Sequence, residues 1–181
     1  MKKLKISMDI DGVLADFYNP YFERFGKPKK DTEITKNIQN ILVKDKDFWL
    51  SLPVLNTLNF TPRQYTTARV IPKQWIKEYL YNNKFPKAPI YQVPGYSLSK
   101  HTKIKMGGCD VHVDDSVSVF LDLNSKGIPC LLLDTPDNRY WEEPIGKIFS
   151  LDEEEIEFTY QLFMETMFPY FKQILNNEKN Y

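Results

Sequence analysis

Leu4, Ile6 and Met8 alternate with Lys5 and Ser7, and this period of two predicts a strand over residues 5–8. The run then meets Asp9, Asp11 and Gly12 before the apolar pair Val13 and Leu14, so two acids stand where a buried strand enters a turn. Helical spacing takes over next. Phe17, Tyr21, Phe22 and Phe25 predict a helix over 16–25, with Pro20 in its first turn or at a break and Gly26 ending it. Further helices are expected over 32–43 and 46–52, so residues 16–60 read as a small helical insert.

Beyond the insert, short apolar strands alternate with helices. Strands are predicted over 63–66, 89–93, 111–113 and 129–133, the last carrying the fully apolar Leu131-Leu132-Leu133. Helices are predicted over 72–82, with Trp75, Ile76, Tyr79 and Leu80 inward, over a short stretch N-capped by Ser99 and ended by Gly107-Gly108, and over 117–126. A last helix is expected from a Ser150/Glu153 capping box to residue 175, with a break at Pro169. Its Phe158, Phe163, Met164, Met167, Phe168 and Phe171 are read first as packing on the sheet and second as a homodimer contact. Five strands separated by helices imply an α/β fold: a parallel sheet with helices on both faces, built from residues 1–15 and 61–181.

Composition narrows the function classes. With 42% hydrophobic and 14% aromatic residues the chain can build a core, and a net charge of +0 gives no field to attract nucleic acid. The basic runs at Lys2-Lys3 and Lys27–Lys30 read as solvated surface. Cys109 and Cys130 form no CxxC and read as reduced, buried thiols of a cytoplasmic protein. No signal peptide and no apolar run long enough for a membrane span is found.

In an open parallel sheet ligands bind beyond the C-terminal strand ends. There the sequence places Asp9 and Asp11, then Thr66, Thr67 and Arg69, then Lys100 and Lys103 ahead of the next strand, and finally Asp114 and Asp115. These supply carboxylates for a cation, a hydroxyl and a lysine for a phosphate, and a spare carboxylate as nucleophile. Buried acids in such numbers need a cation or ligand to offset desolvation, and Mg²⁺ with a phosphate suits them. Arg69 is read as a surface or insert-facing side chain, and His112, inside a strand, as a packed core residue.

The pattern Asp9-Ile10-Asp11-Gly12-Val13-Leu14-Ala15-Asp16, a strand ending in Thr, a later Lys and a strand ending in Asp-Asp resembles the haloacid dehalogenase (HAD) superfamily of phosphatases. Within it, residues 8–17 are most similar to the 5'(3')-deoxyribonucleotidases, as is Phe48-Trp49-Leu50-Ser51-Leu52-Pro53. The resemblance spans roughly residues 4–140. It implies a HAD-like Rossmannoid core, a helical cap at residues 16–60, and Mg²⁺-dependent hydrolysis of a small phosphomonoester, foremost a (deoxy)nucleoside 5'-monophosphate. It implies Asp9 as nucleophile and Asp11 as acid and base. Mg²⁺ would sit on the Asp9 carboxylate, the Asp11 main-chain carbonyl and Asp115, and the phosphate on Thr67 and Lys100. Lys100 is preferred to Lys103 and Lys105 by its place at the helix start. Phe17, Phe48 and Trp49 are read either as a wall for a nucleobase or as the core of the cap, and Asp114 as an acid holding the lysine or a metal-bound water. Thr-Ala-Arg at 67–69 departs from that family's usual Thr-Ser-Pro.

Rival readings are weaker. An EF-hand would need ligands at positions occupied by Val13 and Pro20. A metal-dependent DxD glycosyltransferase leaves Asp114-Asp115 and the Thr66–Arg69 strand end without a role. A sugar phosphate is the nearest alternative substrate, and a binding module that has lost catalysis conflicts with the full set of polar residues.

Overall fold

The computed structural model describes residues 3–93, 98–142 and 145–171, without the side chains of residues 31, 32, 98 and 99. Strands β1 (Ile6–Asp9), β2 (Gln64–Thr67), β3 (Ile90–Gln92), β4 (Val111–Asp114), β5 (Cys130–Leu133) and β6 (Lys147–Ile148) form one open, all-parallel sheet in the order β3-β2-β1-β4-β5-β6. This is a Rossmann-like α/β fold. The chain steps outward from β1 through β2 to β3, then returns across β1 and steps the other way from β4. Right-handed crossovers in opposite directions place helices on both faces. They also open a crevice between β1 and β4, where the two halves diverge at the strand ends.

The helices are α1 (Tyr18–Phe25), α2 (Asp31–Asn40), α3 (Lys46–Leu50), α4 (Lys73–Asn82), α5 (Leu98–Met106), α6 (Val117–Ser125) and α7 (Glu153–Thr166), with short 3-10 turns at Leu42–Lys44 and Pro136–Asn138. Two strand ends matter for the site. β1 runs on to Asp9 and β4 to Asp114, so these acids are the last residues of their strands rather than turn residues.

Several expectations are corrected. A sixth strand, β6, adds two residues beside β5, too short for a periodic signal. Helix α5 begins at Leu98, so Ser99 lies inside it rather than at its cap, and the expected loop at 94–97 lies outside the described residues. Asp152, not Ser150, caps α7, accepting from Glu154 N at 2.9 Å, while the Ser150 hydroxyl donates to Glu155. Helix α7 breaks at Met167, two residues before Pro169, whose missing N–H interrupts the ladder, and residues 168–171 are helical again, as expected of a helix broken near that proline. The expected extension to 172–175 lies outside the described residues.

The Phe-rich segment packs inward. Phe163 lies 6.1 Å from the Phe120 ring of α6, and Phe168 lies 5.9 Å from Phe163, whereas Phe158 is exposed. The helical insert leaves and rejoins the main fold at one point. Asp16 N donates to Pro53 O and Leu55 N to Leu14 O, each at 2.9 Å. Its interior is aromatic, and α3 lies on α4, with Lys46 and Glu78 paired at 2.9 Å. Among the described residues no helix is long and apolar enough to cross a membrane.

Candidate functional site

Side chains on a strand alternate between faces, so residues two apart share one. On β2, β1 and β4 this puts Gln64 and Thr66, Ser7 and Asp9, and His112 and Asp114 on a single face. The register sets them side by side: Ser7 pairs with both Gln64 and His112, and Asp9 pairs with Thr66. Two polar rows therefore cross the middle of the sheet, all buried. Tyr65, Ile6, Met8, Val111 and Val113 fill the opposite face with apolar surface. Helix α5 covers the polar rows, and its approach requires Gly107, where a Cβ would lie 1.9 Å from Gln64 Oε1.

Lys100 comes down from α5 between the strand ends. Its Nζ lies 2.9 Å from Asp9 Oδ1 and 2.5 Å from Asp114 Oδ2. Thr66 donates to Asp9 Oδ1 at 2.9 Å. Asp114 is held further by His112 Nε2 at 3.1 Å and by Ser116 N at 3.0 Å, and His112 Nδ1 meets the Ser7 hydroxyl at 3.1 Å. Burial lowers the pKa of His112, so it is neutral; with Nε2–H donating to Asp114, Nδ1 accepts from Ser7. Burial opposes the Lys100 ammonium, but Asp114 and Asp9 outweigh it and hold its pKa above the ordinary lysine value. Burial also works against ionised Asp114, yet Lys100 and His112 keep its pKa well below the usual carboxylate range.

Asp9 differs from Asp114. Burial pushes its pKa up to about 7; Lys100 pulls it down, and Asp114 and Asp11 push it up again. Asp9, His112 and Asp114 are close enough together to form a metal-binding trio, but the Lys100 ammonium already fills the space between the two carboxylates. Lys100, not Lys103, is thus the lysine of the site; Lys103 lies over the Tyr91 ring at 5.9 Å.

Past the end of β1 the chain turns tightly, with Leu14 N and Ala15 N both donating to Ile10 O at 2.9 Å. Asp11 sits on this turn. Thr67 donates to its Oδ2 at 2.7 Å and Arg69 Nε to its Oδ1 at 2.5 Å. The Thr67 hydroxyl also accepts from Arg69 N at 3.0 Å. It is therefore committed to positioning Asp11 in this arrangement, rather than open to a phosphate as expected. Of the two readings of Arg69, the insert-facing one holds and the surface one does not: the residue is 3% exposed, with its guanidinium over the rings of Trp49 of the insert at 5.0 Å and Tyr79 at 5.6 Å.

Asp115 follows β4 and lies against Gly12 of the β1 turn, and Asn138 donates to its carbonyl at 2.8 Å. Burial raises its pKa well above the carboxylate range, and the charges of Asp114 and Asp9 add to the rise. Gly12 and Asp115 open onto a cavity of about 280 Å³ whose wall includes Tyr18, Leu55 and Phe149. Phe17, Phe48 and Trp49 take the packing alternative: they are buried, with Phe17 stacked on Trp49 at 5.6 Å and edge-on to Phe48 at 6.2 Å. They form the core of the insert rather than an open wall.

Thr66, His112, Arg69 and Asn138 hold the acids without having been singled out for that in the sequence. The available signal was parity: Gln64/Thr66, Ser7/Asp9 and His112/Asp114 each place polar groups two apart in strands otherwise fit for burial. The chain matches no family model, no curated protein and no solved structure.

Proposed function

We propose that the protein is a Mg²⁺-dependent phosphomonoester hydrolase working through an aspartyl-phosphate, with (deoxy)nucleoside 5'-monophosphates as the first substrate class and sugar phosphates as the second. One observation carries the reading. Four carboxylates, Asp9, Asp11, Asp114 and Asp115, converge at the β1/β4 crevice, and among the described residues the cations in contact with them are Lys100 and Arg69. Burial is the main cause of the raised pKa of Asp9 and Asp115, and the charges of neighbouring acids add to it, so both carboxylates gain from a further cation. A hard divalent cation with oxygen ligands answers both the charge and the donor type.

Asp9, Asp115 and the main-chain carbonyl of Asp11 would hold the ion; the Asp11 side chain is turned to Thr67 and Arg69. Bound there, Mg²⁺ supplies charge neutralisation for an anionic nucleophile meeting an anionic substrate. The rest falls to side chains. Thr66 and Lys100 fix the Asp9 carboxylate, whose oxygen attacks phosphorus as the ester P–O bond breaks. The departing ester oxygen would take a proton from Asp11 in its acid form, which requires the carboxylate held here by Thr67 and Arg69 to take up a proton and release one of those donors. Asp11 then removes a proton from water, the water oxygen bonds to phosphorus, and the Asp9–phosphorus bond breaks to free phosphate. Lys100 lies beside the phosphoryl group throughout and offsets charge that develops on it. The insert, whose Trp49 touches the Arg69 guanidinium, stands as a cap over this chemistry.

A phosphate-release screen over nucleotides and sugar phosphates, with Mg²⁺ and with EDTA, tests the reading. Release that needs Mg²⁺ and vanishes in Asp9→Asn supports it. No release from any phosphomonoester, or release by Asp9→Asn at the wild-type rate, overturns it.

A further inference from the structure

Arg69 uses one of its donor atoms. Its Nε binds Asp11 Oδ1, while Nη1 and Nη2 are buried and have no partner among the described residues. The side chain is 2% exposed, so any acceptor for these atoms, water included, has to displace the side chains around them. A buried guanidinium normally has its donors met, and its planar fork suits two oxygens of one anion. The rings of Trp49 and Tyr79 lie against the guanidinium and fix its plane. The guanidinium is thus rigid, charged and short of acceptors.

Its surroundings say where an acceptor would come from. Arg69 lines a cavity of about 380 Å³ with Val43, Val70, Ile71, Pro72 and Gln92, apart from the cavity at Gly12 and Asp115. That volume falls in the range of small-molecule sites. Gln92 is anchored by its amide nitrogen to the carbonyls of Arg69 and Ile71, which ties the cavity wall to the strand ends. Arg69 Nε pairs with Asp11 Oδ1 at 2.5 Å, whereas the side chains that hold the Asp9 carboxylate are Lys100 and Thr66. Arg69 therefore stands on the Asp11 side, beside the group that protonates the leaving oxygen, and away from the nucleophile.

We infer that the Nη1/Nη2 pair of Arg69 is a subsite for a second anionic group of the substrate, a carboxylate or a further phosphate carried by the leaving portion. The inference rests on the phosphomonoesterase reading and narrows it: the preferred substrate is a phosphomonoester with another anion close to its ester oxygen. Arg69 is then a specificity residue as well as the positioning residue of Asp11.

The test compares matched substrates with Mg²⁺: 2-phosphoglycolate against ethyl phosphate for a carboxylate, and adenosine 3',5'-bisphosphate against adenosine 5'-monophosphate for a phosphate. Wild-type protein is expected to favour the anion-bearing member of at least one pair by about tenfold or more in kcat/KM, the size of a charge-assisted hydrogen bond. The favoured pair identifies the anion. Arg69→Met and Arg69→Lys should erase that preference chiefly through KM. Equal kcat/KM within both pairs in the wild type overturns the subsite without need of any variant. An equal loss on all four substrates in folded variants also overturns it, leaving Arg69 only its hold on Asp11. Calorimetry on Asp9→Asn separates this outcome from failure of the hydrolase reading. If no substrate turns over, tighter binding of the anion-bearing member, lost in Asp9→Asn/Arg69→Met, upholds the subsite, and equal binding sinks it.

Discussion

The Asp115 carboxylate occupies the space that a side chain on Gly12 would need: an ideal Cβ on Gly12 would lie 2.0 Å from Asp115 Oδ2. Gly12 also has φ +76°, where L side chains are strained. One glycine thus lets the β1 turn and the β4 end bring their acids together. Gly12→Ala should displace Asp115, lower phosphate release about 100-fold or more and raise the Mg²⁺ needed for half-maximal rate. Strain alone should destabilise the fold by about 1–2 kcal/mol. Metal titrations and thermal melts check this; an unchanged Mg²⁺ requirement would place the ion away from Asp115.

Among the described residues Lys100 is the sole cation between Asp9 and Asp114, and all three side chains are at most 8% exposed. Lys100→Met leaves two carboxylates facing each other in the interior. Removing one partner of a buried pair typically destabilises by about 3–5 kcal/mol, and that is the expected loss. Replacing Asp114 as well, in Lys100→Met/Asp114→Leu, removes one of the orphaned charges and should recover part of the stability but none of the activity. Urea unfolding midpoints read the first effect and phosphate release the second. A double variant no more stable than the single one would show that the lysine's role is not charge compensation.

The sequence carried the strands and the acids, and it did so for a physical reason. A strand buried on both faces is mostly apolar, so a carboxylate at its end stands out, as Asp9 and Asp114 do. The sheet's strand pattern and its parallel arrangement followed from the same contrast. What stayed hidden were the partners. Thr66 and His112 look like ordinary strand residues until the register of β1 against β2 and β4 sets them beside Asp9, Ser7 and Asp114. Arg69 could be read as facing either solvent or the insert, because an arginine is costly to bury; Asp11 and two aromatic rings from separate helices, one of them in the insert, make its burial tolerable. Phe17, Phe48 and Trp49 could be placed near the site by motif, but whether a ring lines a cavity or fills a core depends on its neighbours. β6 was missed because two residues carry no period.

The cysteines provide a test that needs neither metal nor substrate. Burial pushes the Cys109 thiol up to about 11 and the Cys130 thiol well above the ordinary value. A raised thiol pKa means less thiolate at any pH below it, and the thiolate is the reactive form. At pH 8 the native protein should therefore react with iodoacetamide about 100-fold more slowly at Cys109 than a free thiol does, from thiolate fraction alone. Both cysteines should modify rapidly in urea. Mass spectrometry over time reads the two rates; Cys130 is buried as expected but Cys109 only half-buried, and fast alkylation of Cys109 in the native protein would contradict its raised pKa.

Asp9 links pH, metal and stability in a way that fixes the sign of one more experiment. Its carboxyl ionises near 7 in the folded protein against 3.8 when unfolded. Between those values the native state holds a proton that the unfolded chain has lost, so without metal the stability contributed by this group falls as pH rises and is fully lost above 7. At about 1.4 kcal/mol per unit of pKa, the penalty at pH 8 is on the order of a few kcal/mol. Asn keeps an oxygen for Thr66 and Lys100 but cannot ionise, although Lys100 then loses one of its two counter-charges. Asp9→Asn should accordingly be inactive yet more stable than wild type by about 2 kcal/mol in EDTA at pH 8, with the advantage gone near pH 4. Mg²⁺ should raise the melting temperature of the wild type at pH 8 and barely move that of Asp9→Asn, because the ion and the substitution relieve the same charge. Thermal melts at the two pH values, with EDTA and with Mg²⁺, decide it. An Asn variant less stable than wild type in EDTA at pH 8 would mean that Lys100 alone already balances Asp9, and the charge argument for a divalent ion would fall with it.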